Sequence, residues 1–375
     1  MKKKIKVVHV FSEVSTGPFV EVLASAMDAS KYEVVFIFLE PEEHEFHREL
    51  TAKGITYYRT NFRGRRDLPQ AIWQLCRLFK KLDLDIVHTH LVNGSLAGLV
   101  AAKLCGIKKR VSYRHHSNES YVYFPHAVYY DRIVNRLSKR IAANTKMTAD
   151  FMIETERVSP DKVDVINLAF DLSTFERSDA DGDRAAERHN FKDCYPVIGV
   201  VSRFVHWKGI QYTIPAFARL LADFPDAKLV MASAFGSYST ELSALLKESL
   251  PLDSYRTINF ESDILSLYKT FDVFVHVPIG EHFEAFGQVC VEALAMKVPS
   301  VFTLSGVASE FVENERNAMV VPFCDSDSIY EAMKRILLEP ELRNGLIVQG
   351  AADVTERFGH ERIGIELDKF YSRLV

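Results

Sequence analysis

The sequence predicts an α/β protein of two doubly wound domains, each a parallel sheet wrapped by helices. Three observations carry that expectation. Short β-branched and aromatic runs alternate with helical stretches from end to end, as in successive βαβ units. A chain of 375 residues is too long for one ordinary core and suits two domains or one large barrel. A polar, charge-rich segment, 173–192, breaks the alternation near the middle and reads as the connection.

Strands are expected at 5–10, 34–39, 86–88, 110–113, 140–143 and 163–166, where apolar runs are bounded by turn residues. Helical stretches at 19–29, 68–82 and 95–105 lie between them. A second series runs through 197–202, 227–232, 257–260, 273–275, 300–303 and 318–321. The expected domains are 1–172 and 193–357, with a last helix, 358–375, packing back on the first. Ligands of such sheets bind at the carboxyl ends of strands, which points to a cleft between the domains.

Composition narrows the setting. No apolar run approaches the roughly 18 to 20 residues that span a bilayer. The lysine-rich start, Met1 to Lys6, leads directly into a strand pattern and is not expected to be a signal peptide. Five scattered cysteines show no metal or redox spacing, so a reducing cytoplasm is expected. The net charge of −4 conceals an asymmetry: residues 1–150 hold 24 Lys and Arg against 15 Asp and Glu, a net of +9, leaving −13 for the remainder. Such a basic half suits an anionic partner: nucleic acid, a phosphorylated acceptor or a membrane face. Arg132, Arg136, Lys139 and Arg140, interleaved with Tyr129, Tyr130, Ile133, Val134 and Leu137, would form a basic amphipathic helix able to lie on anionic lipid, or simply a solvated helix face.

Some functions are excluded. The loop Ser12-Glu13-Val14-Ser15-Thr16-Gly17-Pro18 lacks the three-glycine dinucleotide fingerprint, and no P-loop occurs. The Asp179-Ala180-Asp181-Gly182-Asp183 run has its glycine misplaced for an EF-hand. His88 and His90 alternate on one strand face, but no third metal ligand has a recognisable spacing, so a structural role is expected.

The most informative stretch is Glu284-Ala285-Phe286-Gly287-Gln288-Val289-Cys290-Val291-Glu292. A buried strand, its exit loop and a helix over 287–296 would aim the amides near Phe286, Gly287 and Gln288 at an anion above the strand end. Glu284 would sit beside that anion and Glu292 about two turns into the helix, able to accept from hydroxyls at opposite ends of a glycosyl nucleotide. On spacing alone, the run is equally an amphipathic helix with two solvated glutamates. Upstream, Arg203 closes another buried strand and Lys208 precedes the next helix, so the pair would grip a diphosphate.

Together these residues resemble glycosyltransferase family 4, the retaining glycosyltransferases group 1 of the GT-B fold: two Rossmann-like domains facing a central cleft. Further matching motifs are Asp85-Ile86-Val87-His88-Thr89-His90, the run from Val165 to Phe175, Val298 to Val312, and Asn317 to Pro322. The resemblance covers most of the chain. It implies that Glu292 binds the ribose hydroxyls, that Glu284 lies by the transferred sugar, and that Arg203 and Lys208 hold the diphosphate. It implies no metal and no cofactor beyond the nucleoside diphosphate sugar itself. Asp83-Leu84-Asp85 spells the Asp-x-Asp of metal-dependent transferases but precedes its strand, and reads as a loop. His115 or His116 would be the cleft histidine. Gly17 would approach the donor, although family members commonly carry a glycine pair there and this chain has one glycine followed by a proline. Lys297 stands where a glycine commonly closes the helix.

The resemblance implies transfer of a sugar to an acceptor hydroxyl with retention, in bacterial-type surface glycan or glycolipid assembly, peripheral to the inner membrane face. The competing readings are a nucleotide-sugar epimerase or phosphorylase of the same fold, and a non-catalytic sugar-nucleotide-binding protein. The aromatic group Tyr121, Tyr123, Phe124, Tyr129 and Tyr130 would either receive a lipid-linked or phosphorylated glycan or fill a core.

Overall fold

The structure is a computed structural model that describes residues 3–12, 18–123 and 125–374, with only the backbone of 119 and 120. The chain forms two compact units, Met1–Asp171 with Phe358–Val375, and Leu172–Arg357.

The first unit holds seven parallel strands: β1 Ile5–Ser12, β2 Tyr32–Leu39, β3 Tyr57–Thr60, β4 Ile86–His90, β5 Lys109–Arg114, β6 Arg140–Ala143 and β7 Val163–Val165. Their order is β3-β2-β1-β4-β5-β6-β7. β3 was not expected. Tyr57-Tyr58-Arg59-Thr60 is a partly exposed edge strand, so it lacks the buried apolar run that marks the central strands. The alternation along β1 separates two faces. Val8 and Val10 join Ile37, Leu75, Phe79 and Ala101 in an aliphatic core under the helices Leu68–Leu82 and Val92–Leu104. On the other face His9 pairs with His88 across β1 and β4, and His90 pairs with Tyr113 across β4 and β5.

The helix His360–Ser372 covers that second face, placing Phe370 and Tyr371 against His88. It packs on the helix Pro18–Ala26 at Gly364, where a Cβ would lie 2.0 Å from the Ala26 carbonyl oxygen. The chain re-enters the first unit by a bridge between Phe170 and Gly359.

The second unit holds β8 Val197–Val201, β9 Lys228–Ala232, β10 Tyr255–Ile258, β11 Val273–His276, β12 Ser300–Phe302 and β13 Met319–Val320, all parallel, in the order β10-β9-β8-β11-β12-β13. β8 is buried along its whole length, which explains its unbroken Val-Ile-Gly-Val-Val.

The segment 173–192 is not a bare connection. It contains the helix Asp179–Arg188, which belongs to the second unit. Ser178 caps it in a capping box with Asp181, and Ala185 and Ala186 are buried. Three aspartates disguised that helix, because its apolar side is built from two alanines and Gly182, which packs against Lys269. No helix among the described residues is long and apolar enough to cross a membrane.

Candidate active site

In the second unit the site is assembled from strand exits. β8 ends at Val201, leaving Arg203 exposed with no ion pair to its guanidinium among the described residues. The turn His206–Lys208 follows, and Gly209 passes the chain into the helix Ile210–Asp223. Gly209 has φ +74°, and a Cβ there would lie 1.8 Å from the Val277 carbonyl oxygen. Only glycine lets the β11 exit pack so tightly on the Lys208 turn, an approach fixed by Ile279 N–H donating to Trp207 O at 3.0 Å.

That approach brings Lys208 to Glu284. The ammonium of Lys208 donates to Oε2 of Glu284, and His276 Nε2 lies 3.2 Å from the same oxygen. Burial alone would raise the Glu284 carboxyl, but Lys208 and His276 outweigh it and hold it at about 2. Burial pushes His276 below its usual range against the pull of Glu284. At neutral pH, His276 is therefore a neutral donor through Nε2–H to an ionised carboxylate. Ser305 pins the loop: its hydroxyl accepts from Glu284 N–H at 3.2 Å and reaches the carbonyls of Gly280 and Glu281 at 2.8 and 2.9 Å.

Beyond Glu284, Phe286 is buried and its carbonyl accepts from Val307 N–H at 2.7 Å. Gly287, at φ +82°, caps the helix Gln288–Ala295. The amides of Gly287, Gln288 and Val289 open that helix without intrahelical acceptors, which with the helix dipole makes an anion seat. The helix starts one residue later than expected, at Gln288, and at 3.6 residues per turn Glu292 sits little more than one turn into it, not the two expected. Tyr268 O–H donates to Glu292 Oε2 at 2.9 Å, and burial raises that carboxyl despite the bond. Lys297 closes the helix at φ +62°: its N–H donates to Leu294 O, and Val298 N–H donates to Ala293 O.

The two candidate histidines lie in the first unit and differ sharply. His116 Nε2 is 2.9 Å from Asp131 Oδ1 and 2.9 Å from Arg114 Nη1. Arg114 is itself buried and paired with Glu156, so His116 belongs to a closed ionic network. His115 is only partly buried, and its Nε2 faces His90 Nδ1 at 3.2 Å. Burial first, then the neighbouring His116, push its imidazole down to about 3. Gly17, Thr16 and Phe124 lie outside the described residues. Asp83-Leu84-Asp85 is a loop, with Asp85 Oδ2 accepting from Lys6 N–H at 2.9 Å.

Three contacts escape sequence reading. His276 and Tyr268 each secure one of the two glutamates, and Ser305 holds the loop that leads into Glu284. His276 does end a strand beside the motif, a position that was a usable signal; Tyr268 and Ser305 offered none. His9 also joins His88 and His90 as a third buried imidazole, with ligand atoms within 4.8 Å of one another.

Two all-parallel doubly wound units, the second pairing Lys208 with Glu284 ahead of the helix Gln288–Ala295, define a GT-B protein. Comparison with solved structures gives the same fold: a glycosyltransferase from Rickettsia africae superposes with TM-score 0.80 at 18% identity over 99% of both chains. Anabaena Alr3699/HepE in complex with UDP-glucose superposes with TM-score 0.82 at 18% identity, over 98% of this chain and all of that one. Residues 16–174 match Glycosyltransferase Family 4 and residues 181–353 match Glycosyl transferases group 1; the chain belongs to this family. It is 26% identical to the capsular polysaccharide biosynthesis glycosyltransferase CapM of Staphylococcus aureus, over 82% of this chain and 81% of CapM. It is 27% identical to the D-inositol 3-phosphate glycosyltransferase of Saccharomonospora viridis, over 60% of this chain and 53% of that one.

Proposed function

We propose that the protein moves a hexosyl or N-acetylhexosaminyl group from a nucleoside diphosphate sugar to an acceptor hydroxyl with retention at the anomeric carbon and without a metal. The observation that carries this reading is the Lys208–Glu284–His276 cluster beside the amino end of Gln288–Ala295. Arg203 and Lys208 would neutralise charge gathering on the departing diphosphate, a role that preorganised cations and helix amides fill at low cost in reorganisation. Glu284, ionised and held by two donors, suits accepting from sugar hydroxyls and does not suit proton donation. Glu292, already accepting from Tyr268, would take the ribose hydroxyls.

In the transfer step the bond from the anomeric carbon to the diphosphate oxygen breaks with its electrons on the diphosphate. The acceptor oxygen bonds to the same face, and its proton passes to a β-phosphate oxygen. His115, neutral through the physiological range, would contact sugar or acceptor by hydrogen bonding.

The donor class is supported by two relatives that differ in base. HepE was solved with UDP-glucose, and a Corynebacterium glutamicum relative, 30% identical over 49% of this chain and 50% of its own length, is a GDP-mannose-dependent phosphatidylinositol monomannoside mannosyltransferase. CapM supports a surface-glycan acceptor. A cytoplasmic enzyme resting on an anionic inner membrane face agrees with the helix Ala127–Leu137, where Tyr129 is 63% exposed beside Arg132 and Ile133 is 43% exposed.

A thermal-shift panel of UDP- and GDP-sugars tests the donor. A ligand at one hundred times its Kd should stabilise the protein by about 2.7 kcal/mol. Product anomers read by NMR test retention. No shift with any nucleotide sugar, or an inverted product, would overturn the reading.

A further inference from the structure

The aromatic face of the first sheet carries four imidazoles in single file. His115 Nε2 is 3.2 Å from His90 Nδ1, and His90 Nε2 is 2.9 Å from His9 Nδ1. His9 Nε2 is 3.4 Å from the Tyr371 hydroxyl, which is 2.7 Å from His88 Nδ1. His88 Nε2, at the far end, is buried and has no hydrogen-bond partner among the described residues. His9, His88, His90 and Tyr371 are buried, while His115 at the end of β5 is partly exposed.

Burial keeps His9 and His115 at about 3 and His88 and His90 well below their usual value, so all four rings are neutral near pH 7. A neutral imidazole has one N–H and one lone pair. Each ring in the file must therefore donate from one nitrogen and accept at the other, and the choice at one ring dictates the next. Two arrangements satisfy every contact and also use the Tyr371 O–H, which would be stranded if His9 and His88 both donated to its oxygen. In one, all four rings are Nε2–H, donation runs inward from His115, and Tyr371 donates to His88. In the other, all four are Nδ1–H, donation runs outward from His88 through Tyr371 to His9, and His115 presents its Nδ1–H beyond the file.

We propose that this file sets the tautomer of His115 from the buried end, and that Tyr371 is the positioning residue that closes it. The blind end chooses the direction. The inward arrangement strands an N–H of His88 in the core, and the outward one strands only a lone pair; among buried backbone groups the orphaned N–H is the rarer, and we extend that preference to the imidazole. The file therefore runs outward and makes His115 a hydrogen-bond donor, not a base. Its bearing on transfer rests on the site reading given above for His115.

Three close imidazoles are also a metal-ligand set. Tetrahedral zinc, however, draws its nitrogens to about 3.4 Å from one another. The ligand atoms here span up to 4.8 Å, so the three rings would have to close up and the His9–His90 hydrogen bond would give way to the metal.

The test is long-range proton–nitrogen correlation on the full chain labelled at histidine, assigned by single substitutions, at neutral pH. Expected are four Nδ1–H rings, with Tyr371→Phe moving the His115 ring away from that tautomer. The same variant should keep its melting temperature within a few degrees and its donor KM. Its kcat should fall about tenfold, the upper end of what one neutral hydrogen bond contributes. Mixed tautomers among the four rings, an unchanged His115 spectrum in Tyr371→Phe, or a stoichiometric metal recovered with the purified protein would each overturn the proposal. Full activity in His115→Ala would instead count against the site reading, and the spectra judge the file independently of it.

Discussion

Lys208 and Glu284, 76 residues apart in the chain, form an ion pair whose side chains are only 14% and 13% exposed. The pair must be opened or shared when a diphosphate arrives, so the two residues are expected to act as a unit. Lys208→Ala and Glu284→Ala should each lower transfer by about 10²- to 10³-fold. The double variant should be little worse than either single one. Steady-state rates in the three variants check this, and additive losses would show independent roles. Stability has a separate signature: Lys208→Ala leaves a mostly buried carboxylate unpaired and should melt below the double variant.

Acid should reach the first unit before it reaches the Glu284 loop. His9 and His115 have folded values of about 3 against 6.5 for the free side chain, so below 6.5 the unfolded chain binds protons that the folded unit refuses. Stability from these groups is present above about 6.5 and is lost as pH falls toward 3. Glu284 shifts from 4.5 to about 2, so its contribution persists to about 4.5 and then declines toward 2. Peptide-resolved hydrogen exchange between pH 7 and 5 should show protection falling more around β1 and β4, with their several lowered imidazoles, than across 280–292, where His276 alone is lowered. The reverse order would contradict the assignment.

Lys297 carries a left-handed φ of +62° at the close of the Glu292 helix. A residue with a Cβ pays about 1 kcal/mol or more there, so Lys297→Gly should stabilise the protein by roughly 1 kcal/mol. Urea unfolding of the variant measures it, and a loss of stability would mean that the lysine side chain makes a compensating contact.

Gly209 faces a carbonyl oxygen at a distance no Cβ tolerates. Gly209→Ala should destabilise the second unit by about 3 kcal/mol or more, by the strain of a left-handed φ and displaced backbone. Transfer should fall as well, because the same turn carries Lys208. A variant with wild-type melting and rate would show that the close approach is dispensable.

Much of the architecture was legible because βαβ units write themselves locally. Twelve of the thirteen strands were expected from their short runs, most of them buried and apolar, and the β3 edge, half-exposed with an arginine, was not. The helix Asp179–Arg188 was hidden by its aspartates, since alanine and glycine bury little and leave a weak periodic signal. At the site, the spacing of Glu284 and Glu292 and the strand-end position of Arg203 could be read directly. The partners of those residues could not. Tyr268 meets Glu292 and Ser305 meets Glu284 across separations of 24 and 21 residues, set by packing and not by any local rule. His115 and His116 are adjacent in sequence, and only the placement of Asp131 and His90 tells them apart.

The helix His360–Ser372 covers a face made by strands near the other end of the chain, with the whole second unit synthesised in between. During translation the imidazole and phenylalanine face of β1, β2 and β4 must therefore wait, uncovered, until that helix emerges from the ribosome. The second unit is contiguous and can fold as soon as its own residues are out. The unit made first is thus the unit finished last, and cellular chaperones would meet it with its aromatic side open.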